Sequence, residues 1–333
     1  MAVMFYSNNS TAFSVEFDRA VSQSDVIHLI ESTAASFNIS HQPIKCRSFR
    51  LPMVYNDPVL QDTVDRYMQM IRNKAVYLPD SLKYLQENNG LKSRESVLDL
   101  LRDTTFIIVA VGFMVGVPML LSLDPCARIL SQKYNPPRTS TPAGTIGCGG
   151  RLFCIYTAEL PGGYMPVART LPVWDTFSLR KGFSASHPWM CEPFDLVKFY
   201  PVELAEFNRI QAAYYAGTYS LEIEDIELDL RAELELEAKA YSSPKAVQFR
   251  EAQAVAVKKT SLREDQLFKE WKTELEEAAK TDPASLKADG VVPISTIQQG
   301  KIWKMLVKPG DVISKDQTVA ILESMKMEIA ILA

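Results

Sequence analysis

Thr141-Pro142-Ala143-Gly144-Thr145-Ile146-Gly147-Cys148-Gly149-Gly150 is followed by Leu152-Phe153-Cys154-Ile155-Tyr156 and then by Pro161-Gly162-Gly163. Proline and glycine recur at short intervals, and each supplies what a tight turn needs: proline presets φ, and glycine tolerates positive φ. The apolar runs between these turns have the length of short strands. Asp124-Pro125 and Asn135-Pro136-Pro137 carry the same punctuation upstream, and Leu196-Val197-Lys198-Phe199-Tyr200 adds a further run downstream. Short strands with such punctuation predict a barrel or sandwich over residues 104–202.

Just upstream, Phe106 to Leu123 carries no charge, and Gly112 with Gly116 makes a G-x-x-x-G. A membrane-spanning helix is one reading of such a stretch. A buried strand is the better one. Phe106-Ile107-Ile108-Val109-Ala110-Val111 is rich in β-formers, Gly112, Gly116 and Pro118 break the run, and the flanks carry no basic bias. Residues 1–103 read as an α/β lobe. Ala12 to Phe17 alternates like a strand, Ser24 is placed to cap a helix bearing Val26, Ile27 and Ile30, and Phe49 to Val54 is a second strand. Asn56-Asp57-Pro58 starts a helix with the stripe Leu60, Val64, Tyr67, Met68 and Ile71. Asp80 to Asn89 is a short helix stopped by Gly90, and Ser93 caps another with Val97, Leu98 and Leu101. Over residues 203–288, Leu221 to Leu230 alternates apolar and acidic residues as a half-exposed strand would. Ala246 to Lys280 then lacks Gly and Pro and favours helix, its acidic residues forming a solvated face.

With 333 residues, 47% hydrophobic and 23% charged, the composition is that of an ordinary globular protein of two or three domains. A net charge of −4 offers no basic field for nucleic acid or anionic lipid. The five cysteines are odd in number and include no Cys-x-x-Cys pair, and three distant histidines add no zinc pattern, so no metal is expected. Free thiols suit a reducing, cytoplasmic setting, and Met1 to Ser10 has no secretory pattern.

Near the end stands Glu323-Ser324-Met325-Lys326-Met327-Glu328-Ile329. Gly300-Lys301-Ile302 opens a strand before it, and Val307-Lys308-Pro309-Gly310-Asp311-Val312 runs a strand into a turn. A lysine between two methionines in this setting resembles the attachment site of biotin carboxyl carrier domains. The resemblance implies covalent biotin on Lys326, attached by a biotin ligase. Such a domain is a flattened barrel of two halves with the lysine between them. Only the residues to Ala333 follow, so a partial biotinyl/lipoyl-type β half-barrel with open edges is expected over 289–333, either as a fragment or as a degenerate remnant.

A longer match runs through the β region. Tyr134 to Thr139, Thr141 to Gly150, Cys154-Ile155-Tyr156, Pro161-Gly162-Gly163-Tyr164, Ala168-Arg169-Thr170, Leu171 to Asp175 and Pro193 to Val202 resemble the KipI-type half of the urea carboxylase carboxyltransferase domain. This half is also called allophanate hydrolase subunit 1-like. Asp65-Arg66-Tyr67, Ala75 to Pro79 and Asn88 to Leu91 fit as well. A KipI-like unit, helical linker and carrier in series is the end of urea carboxylase and of fungal urea amidolyase. The resemblance implies an α+β fold: an α/β lobe (1–103), a cyclophilin-like β-barrel (104–202), a strand and helical linker (203–288) and the truncated carrier (289–333).

It also implies chemistry, the transfer of a carboxyl group from carboxybiotin to urea or a related amide. The partners would be a KipA-like half and a biotin carboxylase domain, with neither nucleic acid nor membrane involved. Arg138, Tyr164 and Arg169 are the catalytic candidates, the two arginines as a fork-shaped carboxylate clamp. Gly149, Gly150, Gly162 and Gly163 are candidates for close backbone approach to substrate; plain turns and structural ion pairs are the alternatives for these glycines and arginines. Where bacterial relatives carry a Gly-Phe-x-Pro-Gly-Phe-Pro-type stretch, this chain has Gly112-Phe113-Met114-Val115-Gly116-Val117-Pro118, and the acidic and tyrosine residues of fungal members are not there. Two further readings stay open: a non-catalytic KipI-like interaction protein, and an inactive remnant of urea amidolyase.

Overall fold

Asp57 and Pro58 start a helix where the sequence predicts one. In the computed structural model, which describes residues 3–5, 15–17, 22–36, 43–114, 116–279, 294, 301–324 and 327–333, the Asp57 carboxylate accepts the Val59 N–H at 3.0 Å. The chain runs β1 (Val3–Phe5), β2 (Val15–Phe17), α1 (Gln23–Ser36), β3 (Ile44–Met53), α2 (Pro58–Met70), α3 (Ser81–Asn88) and α4 (Arg94–Asp103). Asp80 and Ser93 cap α3 and α4, accepting the N–H groups of Lys83 and Ser96. At α1 the capping oxygen is that of Ser22, which accepts the Asp25 N–H, instead of the predicted Ser24, because the helix begins at Gln23, two residues earlier than a Ser24 cap allows. Leu60, Val64 and Tyr67 of the predicted α2 stripe are buried. Of the strand expected over Ala12 to Phe17, the first three residues lie outside the described residues.

The uncharged stretch folds as a hairpin of β4 (Phe106–Gly112) and β5 (Val117–Ser122), paired antiparallel from Phe106↔Ser122 to Gly112↔Val117. Among the described residues no helix is long and apolar enough to cross a membrane. Then follow β6 (Arg138–Thr141), β7 (Thr145–Gly149), β8 (Leu152–Ile155), β9 (Leu160–Gly162), β10 (Met165–Arg169), β11 (Leu196–Pro201), α5 (Leu204–Tyr215), β12 (Glu222–Leu228), α6 (Leu230–Tyr241) and α7 (Pro244–Ala279).

Eight strands share one mixed sheet in the order β10-β7-β8-β5-β4-β11-β3-β12, with β11 and β3 parallel and the other neighbours antiparallel. A second sheet pairs β6 with β9. The large sheet takes β3 from the first hundred residues and β12 from beyond residue 202, so strands on both sides of the β-rich segment complete it. It is not a fully laddered barrel. It curls until Val54, just past β3, bridges Arg169 of β10, each N–H donating to the other's carbonyl at 2.9 and 3.0 Å. Inside the curl, Phe49, Leu51, Phe106, Ile108, Phe153 and Val197 are buried, with the Phe106 ring edge-on to Phe153 and Phe199. Removing such side chains from water is the main stabilising contribution, about 1.5–3 kcal/mol each.

The helix expected over Ala246 to Lys280 is α7, and it is fastened along α3. Thr260 Oγ1 donates to Asn88 Oδ1 at 2.5 Å, and Gln253 Nε2 donates to Asn89 Oδ1 at 2.8 Å. The carrier-like end is a three-stranded antiparallel sheet, β13 (Lys301–Met305), β14 (Thr318–Ser324) and β15 (Met327–Leu332), with β14 central. Val319, Ala320, Leu322 and Ile331 make its small core. Val312, in the connection between β13 and β14, stands 95% exposed.

Candidate functional site

Three glycines make room for two tyrosine rings. A Cβ on Gly149 would sit 2.4 Å from Tyr164 Cδ1, one on Gly162 would sit 2.0 Å from Tyr156 Oη, and one on Gly147 would meet both residues at 2.9–3.0 Å. Gly149 and Gly162 lie in β7 and β9, so their role is close packing and not turning. Gly150 is different: its φ is +63°, with open space where a Cβ would go. Gly163 lies against the Lys133 stem, and its carbonyl accepts the Tyr134 N–H at 2.7 Å. The two tyrosines, Gly162 and Gly163 border a cleft of about 530 Å³, whose walls also include Phe113, Met119, Lys133 and Tyr134.

The cleft is largely apolar, and that sets its chemistry. Burial, reinforced by Cys154 and Tyr156 nearby, pushes the Tyr164 phenol up to about 12. Tyr156 is likewise pushed up to about 12 by burial. Both are therefore neutral O–H donors at physiological pH and not bases. The Tyr164 hydroxyl has only the weak Met119 Sδ acceptor at 3.9 Å, a bond that a better acceptor replaces at little cost. Cys154, on the same wall, is also held as a thiol, its pKa raised to about 12 by burial. Among the lining residues there is no carboxylate and no imidazole.

The arginines do not meet in a clamp. Arg138 is 2% exposed; its Nη2 donates to the Tyr164 carbonyl at 2.6 Å and its Nε to Thr141 Oγ1 at 3.2 Å, while its guanidinium lies 4.4 Å over Tyr134. It braces the cleft from behind and lines a neighbouring cavity of about 300 Å³ with Arg66, Glu159 and Trp303. Arg169 Nη1 donates to Asp57 Oδ2 at 2.8 Å, tying β10 to the start of α2, and Arg169 does not line the cleft. The predicted fork is thus two arginines with separate partners. Of the other predicted residues, Tyr164, Gly162 and Gly163 border the cleft, Gly149 stands behind the Tyr164 ring, and Gly150 points elsewhere. Lys133 and Tyr134 are not among the site candidates read from sequence, although Tyr134 opens the Tyr134-to-Thr139 stretch of the resemblance.

At the carrier end, β14 and β15 pair up to Ser324↔Met327, so the two intervening residues join neighbouring antiparallel strands. Lys326 is one of them and lies outside the described residues. On the other side of the small sheet, Trp303 of β13 receives the Arg66 guanidinium of α2 at 5.4 Å from its ring centre. Among the described residues no group of His, Cys, Asp and Glu is placed to hold a metal.

Comparison with known proteins agrees with this architecture. The family described as carboxyltransferase domain, subdomain C and D, matches residues 4–182, and that described as biotin-requiring enzyme matches residues 292–333. The second match indicates covalent biotin on a lysine. Urea amidolyase of Saccharomyces cerevisiae is 32% identical over 324 residues, 96% of this chain and 17% of that protein. The biotin/lipoyl attachment protein of Bacillus subtilis is 60% identical over 40 residues, 12% of this chain and 55% of that one. The crystal structure of Kluyveromyces lactis urea carboxylase superposes with a TM-score of 0.74 at 29% identity, covering 96% of this chain and 27% of that one. The chain therefore spans less than a third of the length of these urea enzymes. With more than half its residues matched and its cleft built from the matching segment, it belongs to the carboxyltransferase family of subdomains C and D, joined to a biotin-type carrier module.

Proposed function

We propose that this chain is the KipI-like part of a urea carboxylase-like enzyme, that biotin is attached at Lys326, and that urea or a related amide is the acceptor. The carrying observation is the cleft: neutral Tyr156 and Tyr164 hydroxyls at an apolar wall whose space is made by Gly147, Gly149 and Gly162. Biotin, once carboxylated by a separate biotin carboxylase, would carry the carboxyl group to be transferred. Tyr164 and Tyr156 offer donors to a carbonyl oxygen on which charge develops, and Arg138 holds the Tyr164 backbone in place. The apolar walls exclude water and so strengthen those hydrogen bonds. Among the described lining residues none can take the proton from an attacking nitrogen, so the base belongs to a partner, for which a KipA-like half and a biotin carboxylase are the fitting candidates.

The same lack of a base is what favours the second reading, a KipI-like interaction protein without catalysis. One experiment separates them. The chain, co-expressed with a biotin ligase, is checked by intact mass and then combined with the remaining domains of a urea carboxylase lacking this part. Restored urea-dependent ATP turnover, lost in Lys326→Arg and reduced at least tenfold in Tyr164→Phe, supports the enzyme. Stable association without turnover supports the interaction protein. Biotin on a lysine other than Lys326 removes the carrier assignment.

A further inference from the structure

Lys133 is the one charged side chain among the described residues that line the cleft. Its stem lies along Gly163, where an added Cβ would come within 3.2 Å of Lys133 Cβ. Its ammonium stands over the Tyr164 ring, 5.3 Å from the centroid. Both ends of this arrangement are fixed from the backbone. Tyr134, the next residue, donates its N–H to Gly163 O at 2.7 Å, and Arg138 donates to Tyr164 O at 2.6 Å. The two arginines that sequence offered as a carboxylate clamp are engaged elsewhere, Arg138 by Tyr164 and Thr141, Arg169 by Asp57. Neither arginine lines this cleft, which leaves the lysine as its cation among the described residues, and an aromatic face holds that charge beside the apolar wall at low desolvation cost.

We propose that Lys133 is the charge-selecting residue of this cleft, favouring small planar amides that bear a carboxylate over their neutral counterparts. The inference rests on reading the cleft as the acceptor site. In that setting the amide plane lies against the apolar wall, its carbonyl accepts from a tyrosine hydroxyl, and its carboxylate meets the ammonium. The contact is charge-assisted, yet it sits at an exposed rim where solvent screens it, so the preference is about tenfold and falls with added salt.

The test uses two stable probes of nearly equal shape, oxamate and neutral oxamide, titrated calorimetrically into the full chain. Oxamate should bind about tenfold tighter than oxamide. Lys133→Met should abolish that preference while leaving oxamide affinity unchanged, and Lys133→Arg should keep it. Lys133 is exposed, so neither substitution endangers folding. If Lys133→Met retains the full oxamate preference, or loses both probes equally, the lysine does not select charge, and the cleft reading stands by itself. If the unaltered chain binds neither probe, the reading of the cleft fails and takes this inference with it.

Discussion

Gly162 shows how little room separates a wall from a site. Its missing Cβ is the space occupied by the Tyr156 hydroxyl, so Gly162→Ala must push that ring or its own strand aside. Overpacking of this kind costs about 1–3 kcal/mol, and urea unfolding should show a lower midpoint with an unchanged slope. A loss below a few tenths would mean that Tyr156 moves freely and that the cleft is not preorganised. Asp175 makes a second case. Burial alone would raise its carboxyl, but the N–H groups of Arg180 and Phe177, with the Arg180 guanidinium at 3.1 Å, outweigh burial and hold it below the usual carboxylate range. A lowered folded pKa means stability that is present above about pH 4 and is lost as pH falls through the folded value. Asp175→Asn should therefore be less stable than the parent at pH 7 and should narrow that gap as the pH is taken toward 2, followed by thermal melts across that range. The Gly-rich motif was legible in sequence as a feature, but its reason was not. The rings that need those glycines come from other segments, Tyr156 just after β8 and Tyr164 just before β10, and period and propensity say nothing of which glycine each ring meets.

Helix α7 shows the same limit at the level of an element. Its existence follows from a run without Gly or Pro, and its carboxylates read as a solvated face. Most of them are solvated, as at Glu274, which pairs with Lys74 in the open. Glu264 is not. It is 9% exposed, Oε1 lies 2.6 Å from Arg72 Nη1, and Oε2 accepts the Val76 N–H at 3.0 Å. Arg72 in turn lies against the rings of Phe268 and Trp271 of the same helix, 4.8 and 5.3 Å from their centroids. One buried ion pair thus joins the end of α2 to a helix almost two hundred residues later. Removing one partner strands a buried charge, so Glu264→Ala should cost about 3–5 kcal/mol. Glu274→Ala should stay within about 0.5 kcal/mol. Equal effects of the two in chemical unfolding would show that α7 is only loosely laid on α3. Nothing in a single sequence distinguishes Glu264 from its acidic neighbours, because the distinction comes from Arg72.

At the scale of the molecule, the alternation of short strands and turns was readable, and so was the buried strand β4 with the break after it, but not β5, which resumes at Val117 and pairs back on it. The sheet that unites them was not. β3 lies beside β11 and β12, made much later in the chain, with Ser48 opposite Leu196 and Ile44 opposite Leu228. Pairings this distant close large loops and form slowly. During synthesis β3 is complete while both its neighbours are still unmade, and it presents two bare edges with Phe49, Leu51 and Met53 uncovered. Chains ending at Pro201 leave one of those edges permanently open, and they should collect in the insoluble fraction or on chaperones, whereas chains ending just past α7 should stay in solution. A soluble, monomeric chain ending at Pro201 would mean that β12 is dispensable. The strand that guards this protein against self-association is thus one of the last parts of its main sheet to leave the ribosome.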